Sequence, residues 1–276
     1  VGICDWTLGG AADPQIIEKA ASVGLECLQV SVGTNPDNIV LRDPTVRKTY
    51  KKLSKQYKVK VCSVAAGGIL NQYPLATEPM SAVFVIDALE AAWALGADNI
   101  LTAFFGKGDL RRKDENGRPI VETETPHTIY QLDEMKVDRV ISALKQIAPR
   151  AEDLGVYIGL ENTLTAQHNM HIIHAVGSGM LKHYYDVGNS WGNGYDVPGE
   201  IPRLGNEMIS EVHIKDKGPQ RYESGEGMVD MKACAKALDN VGYHKWLVLE
   251  TRGRKDQYEE DTRSNLRYVK KTFGLV

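Results

Sequence analysis

Residues 209–227 read ISEVHIKDKGPQRYESGEG. The first half alternates apolar and polar residues and reads as a buried strand over 209–217, His213 and Lys215 falling on one face because side chains two apart point the same way. The second half is charged and Gly-rich, so it predicts a loop at the molecular surface. A strand that carries a His and a Lys to its C-terminal end, followed by a polar loop, is how a rigid scaffold presents chemistry.

The same pattern recurs along the 276-residue chain. GICDWTL (2–8), LECLQVSVG (25–33), VKVCSVAAGGI (59–69), DNILTAFFGKG (98–108), YIGLENTLT (157–165), LKHYYDVGNS (181–190) and KWLVLETRG (245–253) read as further strands. Helical stretches alternate with them at 13–24, 43–57, 80–96, 131–155, 166–178, 195–207, 229–242 and 256–274, with a break expected at Pro149. In the first of these, Asp13 suits the cap, Pro14 the first turn and Gly24 the end. Strict β–α alternation predicts parallel strands joined by right-handed crossovers. Eight such units over this length predict an α/β fold: a single (β/α)8 TIM barrel spanning 1–276, with an irregular excursion at about 109–130. A doubly wound open sheet is the rival. The turn after its first strand, DWTLGGAADP, lacks the Gly fingerprint that such a sheet usually carries for phosphate.

Composition narrows the function. A net charge of -3 offers no basic field for nucleic acid or an anionic membrane. No apolar run of about 18 residues is present, so no membrane span is expected. Cys4, Cys27, Cys62 and Cys234 are scattered without a CxxC and predict free buried thiols in a reducing, cytoplasmic setting. The chain begins at Val1, which leaves room for a removed leader.

In a TIM barrel the chemistry sits at the C-terminal ends of the strands. Four consecutive strands end in Glu161-Asn162, Asp186-Val187-Gly188-Asn189, His213-Ile214-Lys215 and Glu250-Thr251-Arg252. Each of these residues alone has a plain reading: a solvated loop acid for Glu161 and Glu250, a turn residue for Asp186, a hydrogen-bonded core histidine for His213. One potential ligand on each of four adjacent strands, whose ends lie about 5 Å apart, points instead to a divalent metal site. Three neighbouring carboxylates are costly to bury without a cation. The oxygen-rich set suits Mn²⁺, Co²⁺, Mg²⁺ or Zn²⁺ rather than copper or a cluster. His168, His171 and His174 lie three residues apart on one helix and read as a surface face.

LENTL (160–164), YDVGN (185–189), EVHIKDKGP (211–219), GEGMVD (225–230) and LVLET (247–251) resemble the sugar-phosphate isomerase/epimerase family, the xylose-isomerase-like barrels. The likeness extends over most of the chain, with the specific motifs in its second half. It implies Glu161, Asp186, His213 and Glu250 as ligands of one divalent metal, Mn²⁺ first. Asn189 three residues after the Asp is more like the L-ribulose-5-phosphate and related ketose 3-epimerases, since many relatives carry His there. The first half (DWTLGG, NQYPL, FFGKGDLRRKDENG) matches less well and leaves the substrate open. The strands ending in SVG, AAGG and FFGKG bring no His, which argues against the multi-metal DNA-repair cousins of the fold.

The expected activity is a metal-dependent isomerase or epimerase acting on a sugar or sugar phosphate through a cis-enediolate. Glu161 and Glu250 exchange the proton from opposite sides. Lys215 would neutralise a phosphate or polarise a carbonyl. Arg221 would hold a phosphate or sugar oxygen, Glu226 would orient its loop or touch substrate, Trp6 would stack on the sugar, and Lys107 would bind an anion. A homo-oligomer, dimer or tetramer, is implied by the resemblance. The rivals are a metal-dependent keto-sugar or inosose dehydratase or 3-keto-glycoside lyase, and, from another class, a non-catalytic sugar-binding protein.

Overall fold

The structure, a computed structural model, describes residues 1–123, 127–218, 221–251, 253–254 and 256–275. Pro219, Gln220 and Arg252 from the motifs above lie outside the described residues. Eight parallel strands close into a barrel: β1 Gly2–Cys4, β2 Cys27–Ser31, β3 Lys60–Ala65, β4 Asn99–Phe104, β5 Tyr157–Asn162, β6 Leu181–Asp186, β7 Ile209–Ile214 and β8 Leu247–Leu249. Neighbours follow chain order, and β1 pairs with β8 through Gly2–Val248 and Ile3–Leu249 to complete the ring. The expected barrel is the fold observed.

The outer helices are α1 Ile16–Ser22, α2 Pro44–Tyr57, α3 Ala82–Leu95, α4 Glu134–Leu154, α5 Ala166–Val176, α6 Val197–Met208, α7 Met231–Asn240 and α8 Tyr258–Thr272. Their starts follow local chemistry. Asp43, Asp133, Thr165, Asp196 and Asp230 each cap a helix by accepting a backbone N–H of its first turn. Gly155 and Gly177 end α4 and α5 in the left-handed conformation, which suits a residue without Cβ. The core fills the space between barrel and helices; along β7, Val212 and Ile214 join it while Glu211 and His213 take the opposite face.

Three sequence expectations are corrected. Helix α4 runs through Pro149 without a break, because Ile147, Ala148 and Ala151 around it are buried and tertiary packing holds the turn. The strand expected over 181–190 ends at Asp186, which caps a short helix, Val187–Gly192, by accepting the Asn189 N–H on Oδ1 at 2.7 Å. Helix α1 starts at Ile16, after Asp13 has accepted the Gln15 N–H in a turn of its own. The 109–130 excursion is partly ordered: Val121–Thr123 and Ile129–Tyr130 pair antiparallel. Arg111 anchors it by pairing with Asp109 at 2.8 Å and donating to Asn193 Oδ1 at 2.7 Å. All four cysteines are free and buried, as expected. Among the described residues no helix is long and apolar enough to cross a membrane.

Candidate metal centre

Strand register assembles the site. Asp186 on β6 lies directly opposite His213 on β7, and His213 lies opposite Val248, two residues before Glu250. Glu161, near the end of β5, lies opposite Ala103 of β4. One ligand atom from each of Glu161, Asp186, His213 and Glu250 falls within 4.8 Å of all the others; among the described residues no other such group of His, Cys, Asp or Glu is found. His213 Nδ1 stands 3.7 Å from Glu161 Oε1, 3.8 Å from Asp186 Oδ2 and 3.5 Å from Glu250 Oε2.

The glycine of the Asp-Val-Gly-Asn turn has a steric reason to be there. A Cβ on Gly188 would sit 2.7 Å from the carbonyl oxygen of Lys215. Only glycine lets the short helix after β6 lie against the exit of β7, and that contact sets Asp186 and Asn189 beside His213 and Lys215. Asn189 donates from Nδ2 to Glu161 Oε1 at 3.0 Å and accepts from Lys217 Nζ at 3.0 Å. Lys215 Nζ donates to Glu250 Oε2 at 2.7 Å and lies 3.7 Å from Asp186 Oδ2.

Electrostatics follow from packing three acids together out of water. Burial raises the Asp186 pKa, but His213 and Lys215 outweigh it and bring the group down to about 2. Burial dominates at Glu250 and lifts it to about 6, against the pull of His213 and Lys215. For His213 burial opposes the charged ring, yet Cys4, Asp186 and Glu161 around it raise its pKa well above the usual value. Lys215 is held protonated by Asp186, Glu250 and Glu161 despite its burial.

Two atoms at the centre make no hydrogen bond at all: Asp186 Oδ2 and His213 Nδ1, both buried. Buried polar atoms normally find a partner. An acid oxygen and an imidazole nitrogen aimed at one point, flanked by two more carboxylates, are a donor set that fits a divalent cation.

The site opens into a cavity of about 370 Å³. Glu161, Glu250, Asn189, Lys215 and Trp6 line it, together with Phe105. Asp186 and His213 are not part of its wall, so of the four clustered residues two reach the cavity and two lie behind it.

Other residues proposed from sequence lie elsewhere. Arg221 turns to α8, 3.4 Å from Glu260 and 3.7 Å from Asp261. Lys107 is exposed on a 3-10 turn, and Glu226 is exposed in the loop after β7; none of the three lines the cavity. His168, His171 and His174 sit on α5, outside any ligand cluster found. Sequence reading missed Gln29, which contacts His213 from inside the barrel. The available signal was a lone amide in the otherwise apolar run of LECLQVSVG.

The chain resembles known proteins in both sequence and fold. It is 37% identical over 78 residues to the putative L-ribulose-5-phosphate 3-epimerase SgbU of Escherichia coli, a match covering 24% of this chain and 26% of that protein. The D-psicose 3-epimerase of Clostridium cellulolyticum H10, solved with D-tagatose, superposes with a TM-score of 0.75 over 99% of this chain and 98% of that one, at 17% identity. The 3-keto-D-glucoside 4-epimerase YcjR of Escherichia coli superposes with a TM-score of 0.76 over 98% of both chains, at 14% identity. Residues 17–272 match the family profile described as Xylose isomerase-like TIM barrel, and the chain therefore belongs to that family.

Proposed function

We propose that this protein is a divalent-metal-dependent isomerase or epimerase of a keto-sugar or keto-sugar phosphate, moving a proton at the carbon beside the carbonyl. The observation that carries the reading is the division of the four clustered residues. Glu161 and Glu250 line the cavity, while Asp186 and His213 stay behind it. All four would hold the cation, Mn²⁺ first. Bound there, it would act as a Lewis acid that makes the carbon beside the carbonyl more acidic.

The chain's own residues do the rest. Glu161 and Glu250 reach one substrate from β5 and β8, on either side of β6 and β7. One takes the proton and generates a cis-enediolate; the other returns a proton to the opposite face or to the neighbouring carbon. Asn189 and Lys215 each fix one oxygen of these carboxylates, through the 3.0 Å and 2.7 Å hydrogen bonds above, which limits the positions each acid can take. Trp6 and Phe105 supply apolar wall against which the carbon face of a sugar can lie. The three similar proteins described above, each an epimerase of a keto-sugar, a keto-sugar phosphate or a 3-keto-glucoside by name, support the same substrate class.

The test is solvent exchange. Mn²⁺-loaded protein is incubated in D₂O with a panel of ketoses, ketose phosphates, inososes and 3-keto-glycosides, and products are read by NMR. Deuterium beside a carbonyl, lost on chelation, supports the proposal. Exchange followed by loss of water or aglycone moves the activity to a lyase. Absence of exchange across the panel, with metal bound, contradicts it in favour of a binding protein.

A further inference from the structure

Behind the metal centre, the inside of the barrel holds a closed set of buried polar side chains. Glu211 accepts on Oε1 from Ser63 Oγ at 3.0 Å and Tyr184 OH at 3.1 Å, and on Oε2 from Asn99 Nδ2 at 3.1 Å. Gln29 Nε2 donates to the same Ser63 Oγ at 2.9 Å and Tyr184 OH at 2.7 Å. Gln29 Oε1 lies 2.9 Å from His213 Nε2, and Cys4 Sγ donates to it at 3.3 Å. All of these residues are buried.

Proton counting removes the freedom in this network. A hydroxyl has one hydrogen, and those of Ser63 and Tyr184 are both committed to Glu211. Their oxygens can only accept from Gln29, so the amide must present its NH₂ to them. Turning the amide over would draw both hydroxyl hydrogens to Gln29 Oε1. Glu211 Oε1 would then be buried without either donor, which buried carboxylates avoid. The amide orientation is therefore fixed from Glu211, and it leaves Oε1 facing His213. An oxygen there accepts, and the Cys4 thiol, 3.4 Å from Nε2, has its one hydrogen on that same oxygen, so Nε2 of His213 must carry a hydrogen. In the neutral imidazole that ligating a cation requires, that is the only hydrogen, and Nδ1 is bare, aimed at Glu161, Asp186 and Glu250.

We propose that Gln29 is a positioning residue: its side-chain oxygen, locked in place by Ser63, Tyr184 and Glu211, keeps the proton on His213 Nε2 and so presents Nδ1 as the nitrogen that ligates a divalent cation. The inference rests on the metal reading given above. Carboxylate or carbonyl groups that fix the tautomer of a ligating histidine affect metal affinity without touching the metal. Here the role falls to an amide that is itself oriented by a buried acid two positions before the histidine on the same strand.

The test uses full-length protein with ¹⁵N-labelled histidine, loaded with Zn²⁺ as a diamagnetic probe. Long-range ¹H–¹⁵N correlation spectra report which His213 nitrogen holds hydrogen and which holds metal. The expected result in wild type is hydrogen on Nε2 and metal on Nδ1. In Gln29→Leu the expected result is Zn²⁺ affinity weakened by about 10- to 100-fold and rapid solvent exchange of the Nε2 hydrogen, with a lower unfolding midpoint in chelator from the buried groups left unpaired. Metal on Nε2 in wild type overturns the proposal without any variant, so a Gln29→Leu protein that fails to fold leaves it testable. Wild-type Zn²⁺ affinity in a folded Gln29→Leu also overturns it, while the metal centre itself survives. Wild-type protein that takes up no Zn²⁺ at His213 brings down the metal reading and this proposal together.

Discussion

Asp186 Oδ2 and His213 Nδ1 face each other at 3.8 Å, both buried, and neither takes part in a hydrogen bond. They come from residues in direct register on adjacent strands, so the approach is built into the barrel rather than into a loop. Asp186 uses its other oxygen to cap the following helix, which fixes its rotamer. Gln29 holds the far nitrogen of His213. Each partner is thus held in place by its outer atom and presents its inner atom unpaired. That arrangement aims two buried ligand atoms at one point, where a cation can bridge them.

Glu161→Gln and Glu250→Gln keep the shape of each side chain and remove its base. Either is expected to lower kcat by about 10²- to 10⁴-fold, the usual contribution of a general acid or base. Circular dichroism should be unchanged. Steady-state kinetics on the substrate found by solvent exchange provides the check, and full activity in both variants removes these residues from the proton path.

Lys215 competes with a divalent cation for the same carboxylates, since its Nζ lies 2.7 Å from Glu250 Oε2 and 3.7 Å from Asp186 Oδ2. Lys215→Met keeps the stem and deletes the charge. Mn²⁺ is expected to bind the variant more tightly, by roughly 3- to 10-fold at the effective dielectric of such sites, while turnover falls because Glu250 loses its orienting donor. Calorimetric titration with Mn²⁺ settles the sign; weaker binding would mean that Lys215 supports the metal site.

At Gly188 an added methyl meets the Lys215 carbonyl at 2.7 Å, a backbone atom that cannot swing aside. Gly188→Ala should destabilise the fold by about 1–3 kcal/mol, the range for overpacking, and should weaken Mn²⁺ binding as the turn holding Asp186 shifts. Urea unfolding of both proteins in chelator measures the first effect. An unchanged midpoint would show that the β6 turn has slack.

His183 lies on β6, 3% exposed, and its burial lowers the ring pKa to about 3. The unfolded ring binds a proton near 6.5, so the unfolded state holds more protons between those values. Stability from a neutral His183 is therefore full above pH 6.5 and is lost as pH falls toward 3. At pH 5 the loss is about 2 kcal/mol, from 1.36 kcal/mol per unit. Asp5, raised to about 7 chiefly by burial, contributes the opposite slope, losing stability as pH rises from 3.8. The comparison is therefore wild type against His183→Phe at pH 7 and pH 5 by urea unfolding. The variant should lose less on acidification, and equal losses would show that His183 is not the acid-sensitive group.

The barrel was legible in sequence because parallel strands buried on both faces give apolar runs and their crossover helices carry their own caps, such as Asp43-Pro44 and Asp133. The four clustered residues were legible for a related reason: each follows such a run at a strand end, and register brings strand ends together. Side chains beyond the strands were not. The path of a loop is set by tertiary contacts, and Arg221 goes to Asp261 and Glu260 on α8 rather than to the cavity. The strand expected to reach 190 stops at Asp186, because the cap bond to Asn189 starts a helix that apolar patterning alone does not reveal. Gln29 and Glu211 look like interruptions of apolar strands until the barrel closes and brings them into one network with Ser63 and Tyr184.

An anomalous-scattering map of crystals grown with Mn²⁺ tests the metal centre most directly. One peak is predicted, within coordination distance of Glu161, Asp186, His213 Nδ1 and Glu250 and open to the cavity beside Trp6. A map with no peak there, or with Mn²⁺ bound elsewhere while Lys215 keeps its contacts to Glu250 and Asp186, would contradict the account.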